Sequence, residues 1–304
     1  MDPALSAILA ALPSGAAGTP QESRAQARAY TEMMGLDAPD RDRLHISERA
    51  IPGPGGDLRV RIYEPPERVG PSPAIVYFHG GGFIAGDLDT EDGRCVRIAA
   101  DAGCVVVSVE YRLAPEHPFP APVDDCYAAL EWTVAAAPEL GLDPTRIGVG
   151  GGSAGGTIAA AVALMARDRG GPAIAFQLLV YPALDDRQLT PSSQAPDRPV
   201  VNAEGVRRLW DHYVGTDRSS VSPYAAPARA DDLTGLPRAY VMTAELDALR
   251  DEGIEFALRL LRSGVSVDLR HYGETFHGFD LMPSTISRHA LDDQATWVRT
   301  ITQH

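Results

Sequence analysis

Lysine is absent from this 304-residue sequence, so all 27 basic side chains are arginine. That removes the phosphate-binding lysine of Walker-type loops, Schiff-base lysines and Ser-Lys dyads together. A nucleophile has to be Ser, Thr, Cys or a carboxylate. Cysteine is scarce. Cys95, Cys104 and Cys126 are odd in number and lack C-x-x-C spacing, which argues against a disulfide framework and against a zinc site. The expected setting is a reducing cytoplasm, with no metal.

Long hydrophobic runs are missing as well. Stretches such as 158–166 fall short of the roughly 18 residues that span a bilayer, so no membrane span is predicted. The apolar segment 4–12 follows Asp2 without the positive leader of a secretory signal, and a soluble protein is expected. Positive charge is in deficit: 41 acidic against 27 basic side chains leave a net −14. With no Arg-rich run to neutralise phosphates, nucleic acid is not an expected partner. The length suits one large α/β domain, and no internal repeat or linker divides it.

Residues 1–45 read as helices outside any sheet. Leu5, Ile8, Leu9 and Leu12 hold the spacing of an apolar stripe that Pro13 and Gly15 stop. A second helix has Thr19 as cap, Pro20 in first position and Glu22 completing a capping box. Eight β-type runs follow, at 45–51, 58–63, 74–78, 104–110, 146–149, 175–180, 239–243 and 267–270. From the third onward most are separated by helical patterns, which predicts β-α-β crossovers and a mainly parallel sheet, with the first two strands as an antiparallel edge. A helix at 252–262 is expected to face the core with Ile254, Ala257, Leu258 and Leu261 and to end at Gly264. Residues 183–235 break the rhythm with one helix, carrying Val206, Leu209, Trp210 and Tyr213 on one face. A cap over a pocket is expected there.

The sequence Gly148-Val-Gly-Gly-Gly-Ser-Ala-Gly-Gly156 lies between a strand and an apolar helix. Within it, Gly151-Gly152-Ser153-Ala154-Gly155 has the G-x-S-x-G pattern of a nucleophile elbow, where small flanking residues relieve crowding at a sharp turn. The same glycines satisfy G-x-G-x-x-G through Gly150, Gly152 and Gly155. A dinucleotide site, however, would place that pattern after the first strand, with an acid about 20 residues on. Here it follows the fifth strand, and the first acids beyond the next are Asp185 and Asp186.

His79-Gly80-Gly81-Gly82-Phe83 follows the third strand, where an oxyanion-hole loop belongs. Gly81, Gly82 and the Ala154 amide are the expected donors. A serine nucleophile then needs an acid and a histidine, in that chain order. His271, His277, His289 and His304 lie late enough. His277 sits beside Gly278 on a loop past the last strand, whereas His271 and His289 suit surface roles. Asp247 follows the seventh strand, Glu245 is the rival carboxylate, and Asp251 suits its helix dipole.

Taken together, His79-Gly-Gly-Gly82, Tyr111-Arg-Leu-Ala-Pro-Glu116, the Ser153 elbow, 245–253 and His277-Gly-Phe279 resemble the hormone-sensitive-lipase group of α/β-hydrolase carboxylesterases. The match runs in order from about residue 45 to the C-terminus. The resemblance implies an α/β-hydrolase fold in residues 46–304, with a cap built from residues 1–45 and the 183–235 insertion. It implies Ser153 as nucleophile, His277 as base and Asp247, favoured over Glu245, as orienter. It further implies a small short-acyl ester as substrate and no cofactor. Gly152 departs from the group, which carries Asp, Glu or Thr before the nucleophile, and a less braced turn and wider pocket are expected there. Phe83, Gly152, Trp210 and Tyr213 are the expected pocket residues.

The expected reaction is acyl transfer to water, with activity falling in acid because histidine titrates near about 6.5. An amide or formamide hydrolase with the same triad, and a non-catalytic binding protein on this fold, are the alternatives. A homo-oligomer is compatible with the sequence.

Overall fold

The computed structural model describes residues 2–11, 19–34, 40–68 and 70–303. Eight strands form one sheet in the order β1-β2-β4-β3-β5-β6-β7-β8. They are β1 (His45–Gly53), β2 (Gly56–Glu64), β3 (Ser72–Phe78), β4 (Val105–Val109), β5 (Leu142–Gly152), β6 (Phe176–Val180), β7 (Arg238–Ala244) and β8 (Val267–Tyr272). β1 and β2 form an antiparallel hairpin, β2 joins β4 antiparallel, and every later pairing is parallel. All eight expected strands are present, and the mainly parallel sheet is as read.

The helices are α1 (Pro3–Ala11), α2 (Pro20–Met34), α3 (Asp92–Ala102), α4 (Ala121–Ala135), α5 (Ala137–Leu140), α6 (Ala154–Arg169), α7 (Ala203–Val214), α8 (Arg250–Arg262) and α9 (Thr285–Thr302). Central strands are buried on both faces, the condition that makes a parallel strand read as a continuous apolar run. Along β3, Ala74, Val76 and Phe78 join the core shared with α4, α6 and α8, while Ile75 and Tyr77 join the core shared with α3 and α9. α6 is buried from Ala154 to Ala166, its alanines allowing close approach to β5 and β6.

The capping box of α2 forms: Thr19 N–H donates to Glu22 Oε2 at 2.8 Å and Glu22 N–H to Thr19 Oγ1 at 3.2 Å. In α1, Leu5 is buried and Ile8 and Leu9 pack against the core. Leu12, Pro13 and Gly15 lie outside the described residues.

α8 corrects an expectation. Its buried residues are Glu252, Gly253, Phe256, Ala257 and Leu260, whereas Leu258 and Leu261 are exposed and Ile254 is half-buried. The apolar residues of this helix spread over more than half of its circumference, wider than the face that is buried. The choice of face falls to the sheet, where Gly253 permits close contact with Thr243 on β7.

Candidate active site

Segments leaving the C-terminal ends of the parallel strands β5, β7 and β8 build the site. In such sheets these ends carry the ligand crevice. β5 runs into Ser153, which has φ 55° and ψ −120°, and α6 starts at the next residue. The turn is tight enough that a Cβ at Gly155 would lie 1.9 Å from the Phe78 carbonyl oxygen. β7 delivers Asp247, fully buried. The loop after β8 delivers His277, 7% exposed.

These side chains meet. Asp247 Oδ1 accepts from the Leu249 amide at 3.0 Å, and Oδ2 lies 2.8 Å from His277 Nδ1. A carboxylate only accepts, so Nδ1 carries the proton and donates. His277 Nε2 is then free to accept from Ser153 Oγ, 2.9 Å away. Tyr181, which the sequence reading did not single out, packs its ring 4.5 Å from that of His277. The rival acid Glu245 is turned elsewhere, accepting from the Glu274 amide at 2.6 Å. His271 is exposed and pairs with Thr243, and His289 is exposed.

The loop after β3 faces Ser153 from the other side. Gly81 has φ +115°, and its carbonyl accepts from the amides of Ile84 and Ala85 at 3.2 and 2.9 Å. A Cβ at Gly81 would lie 2.1 Å from the Ala85 carbonyl oxygen. Among the described residues neither the Gly81 nor the Gly82 amide donates to a protein acceptor. The Ala154 amide opens α6, among the first-turn donors a helix leaves unpaired. His79 itself is 1% exposed, stacks on Tyr111 at 4.2 Å and is held down to about 4 by burial.

A cavity of about 650 Å³ opens above Ser153 and His277. Ser23 and Ala27 of α2 and Leu209 of α7 form part of its wall, as do Leu281 and Met282. Arg24 fixes α2 there: its guanidinium donates to the carbonyls of Ile84 and Ala114 at 2.8 and 3.1 Å and pairs with Glu116.

Four expected pocket residues do not line that cavity. Phe83 is buried, stacked on Tyr213 at 3.8 Å and 5.5 Å from Trp210. These rings pack together and fasten the glycine loop to α7. Gly152 is a further correction, for it does not widen the cavity. Its Cβ position is crowded by Arg94 and Glu91.

Asp185 and Asp186, the acids a dinucleotide site would have used, are engaged by Arg187 and Arg229. Among the described residues no helix is long and apolar enough to cross a membrane. The three cysteines are buried as free thiols.

Comparison with known proteins agrees with this architecture. The model of the α/β-hydrolase fold family matches residues 75–281. Esterase LipI of Mycobacterium tuberculosis is 43% identical over 79% of this chain and 77% of its own length. Carboxylesterase NlhH of the same organism is 44% identical over 78% of this chain and 76% of its own. The solved structure of a bacterial heroin esterase superposes with a TM-score of 0.94 at 43% identity, covering 99% of this chain and 98% of that one. The chain belongs to the α/β-hydrolase fold family, in its hormone-sensitive-lipase-like group of carboxylesterases.

Proposed function

We propose that this protein hydrolyses small carboxylic esters through a serine acyl-enzyme. The observation that carries the reading is the hydrogen-bonded chain from Asp247 through His277 to Ser153, with spans of 2.8 and 2.9 Å at the floor of a cavity. The names of the relatives point to the same ester chemistry.

Ser153 Oγ attacks the ester carbonyl as its proton passes to His277 Nε2. The carbonyl oxygen becomes an oxyanion facing the amides of Gly81, Gly82 and Ala154. His277 then protonates the departing alkoxide. A water enters, gives its proton to the same nitrogen and attacks the acyl-enzyme, and Ser153 recovers its proton as the acid leaves. Asp247 keeps Nδ1 protonated throughout and stabilises the imidazolium between steps. Side chains and backbone amides supply every step. The N-terminal helices and the 183–235 excursion act as the cap, since α2 and α7 wall the cavity.

Ser153→Ala tests the reading. With p-nitrophenyl acetate, kcat is expected to fall by about 10⁴-fold or more, and a fluorophosphonate that labels the wild-type chain should no longer attach. Near-normal hydrolysis by Ser153→Ala would sink the assignment. A p-nitrophenyl series of rising acyl length tests the short-chain preference. Rates on matched ester and anilide substrates separate an esterase from an amidase.

A further inference from the structure

Gly152 precedes the proposed nucleophile and has no side chain, yet the space is filled. A Cβ built there would lie 2.7 Å from Arg94 Nη1 and 2.9 and 3.0 Å from the two Glu91 carboxylate oxygens. Arg94 is fully buried and Glu91 is 4% exposed. Two charged groups at the start of α3 thus stand where an elbow side chain would be.

Their bonds reach both halves of the site. On the glycine-loop side, the Gly80 amide donates to Glu91 Oε1 at 2.6 Å and the Tyr77 hydroxyl to Oε2 at 2.5 Å. Arg94 Nη1 pairs with Glu91 and donates to the Tyr77 oxygen at 2.7 Å. On the histidine side, Arg94 Nη2 donates to the Tyr181 oxygen at 2.6 Å and to Asp280 Oδ2 at 2.7 Å. Tyr181 donates in turn to Asp280 Oδ1 at 2.8 Å. Tyr181 is the ring packed on His277, and Asp280 lies three residues beyond it in the chain.

Stability alone does not call for such a cluster. Buried ion pairs can be exchanged for well-packed apolar side chains with little or no loss, whereas removing one partner strands a charge. Arg94 Nε is left without a partner, but both terminal nitrogens are bonded, and a cluster joined at this many points supplies fixed geometry. Resting on the acyl-transfer reading above, we propose that Glu91 and Arg94 are positioning residues for that reaction. Glu91 holds the Gly80 amide and so aims the next two amides, Gly81 and Gly82, at the oxyanion. Arg94 ties this fixture to Tyr181 and Asp280, which flank the base. The bare Gly152 is what admits them.

The test uses the full-length chain, with kcat and KM measured separately on p-nitrophenyl acetate. Affinity for a trifluoromethyl ketone, which forms a tetrahedral adduct with serine, is read alongside, and fluorophosphonate labelling reports the folded fraction. Because misplacing catalytic groups by about 1 Å can cost 10²-fold, Glu91→Ala is expected to lower kcat about 30-fold. KM should stay within about twofold, ketone affinity should fall in step with kcat, and labelling should stay complete. Glu91→Gln, which keeps an acceptor for the Gly80 amide, should recover most of the loss. Wild-type kcat in Glu91→Ala overturns the proposal, as does a loss shared by KM with no change in ketone affinity.

Should Glu91→Ala fail to fold, Gly152→Ala decides, because the new methyl pushes the pair aside directly. Its loss of kcat should shrink in an Arg94→Met background, and additive losses overturn the proposal. If Ser153→Ala is inactive while Glu91→Ala behaves as wild type, only the positioning role fails. If Ser153→Ala is active, the acyl-transfer reading fails with it.

Discussion

Replacing Asp247 by Asn changes one atom and reverses one hydrogen bond. Asp247 Oδ1 is committed to the Leu249 amide at 3.0 Å, and the side chain is fully buried. In Asp247→Asn the carbonyl oxygen keeps that bond, so the amide NH₂ replaces Oδ2 opposite His277 Nδ1, 2.8 Å away. A donor there forces Nδ1 to accept, and the imidazole proton moves to Nε2. That nitrogen can then no longer take a proton from Ser153 Oγ across the 2.9 Å contact. In serine-protease triads the wrong tautomer costs about 10⁴ in kcat, which at about 1.36 kcal/mol per decade is near 5 kcal/mol of transition-state stabilisation. Ground-state contacts are untouched, so KM should move by less than about threefold. Stopped-flow or plate assays with p-nitrophenyl acetate reach this range, provided the variant comes from a host whose own esterases are removed. A kcat within tenfold of wild type would refute the tautomer argument and with it the orienting role of Asp247.

Two further predictions concern stability. His79 donates from Nδ1 to the Gly80 carbonyl, while its buried Nε2 has no partner. Protonation would therefore strand an N–H, and burial lowers this group from 6.5 to about 4. The unfolded chain binds the proton more tightly, so the stability this group contributes is complete above about pH 6.5 and is lost as pH falls toward 4. Urea titrations at pH 7 and 4.5 should show a stability loss about 2–3 kcal/mol larger in wild type than in His79→Gln; equal losses would contradict it. Gly155→Ala would drive a methyl within 1.9 Å of the rigid Phe78 carbonyl. It should cost more than about 4 kcal/mol or prevent folding. Gly205→Ala, whose methyl would meet nothing nearer than 3.5 Å, should raise stability by about 0.5–1 kcal/mol. Thermal melts of the two side by side check the contrast.

Local pattern made much of this legible. The central strands announce themselves because burial on both faces leaves short apolar runs bounded by turn residues, and the α2 capping box needs only residues 19–22. The glycine loop and the elbow are contiguous segments, so their geometry is encoded where it is used. Four things were not legible, all of them tertiary. The face of α8 was misread because Leu258 and Leu261 look as apolar as the buried Phe256 and Leu260, and only the docking surface distinguishes them. Phe83, Trp210 and Tyr213 are aromatic residues near the site in sequence. That they pack on one another, away from the cavity, depends on how α7 is set against the glycine loop. Gly152 reads as a missing brace until Arg94 and Glu91, some sixty residues earlier, are seen in its place. Tyr181 gave no signal, being one more apolar-flanked residue at the end of β6.

The wall that α2 contributes to the cavity has a thermodynamic corollary. Arg24 joins this helix to the carbonyls of Ile84 and Ala114, and Ser23 and Ala27 beside it face the same space as Ser153 and His277. Whatever fills that space touches the helix and the sheet together, and so favours the docked arrangement over any in which the helix has peeled away. By mass action an occupant at a hundred times its dissociation constant adds about 2.7 kcal/mol to the docked state. Occupancy and helix docking are linked equilibria, and a molecule bound in the cavity would help to hold α2 in place.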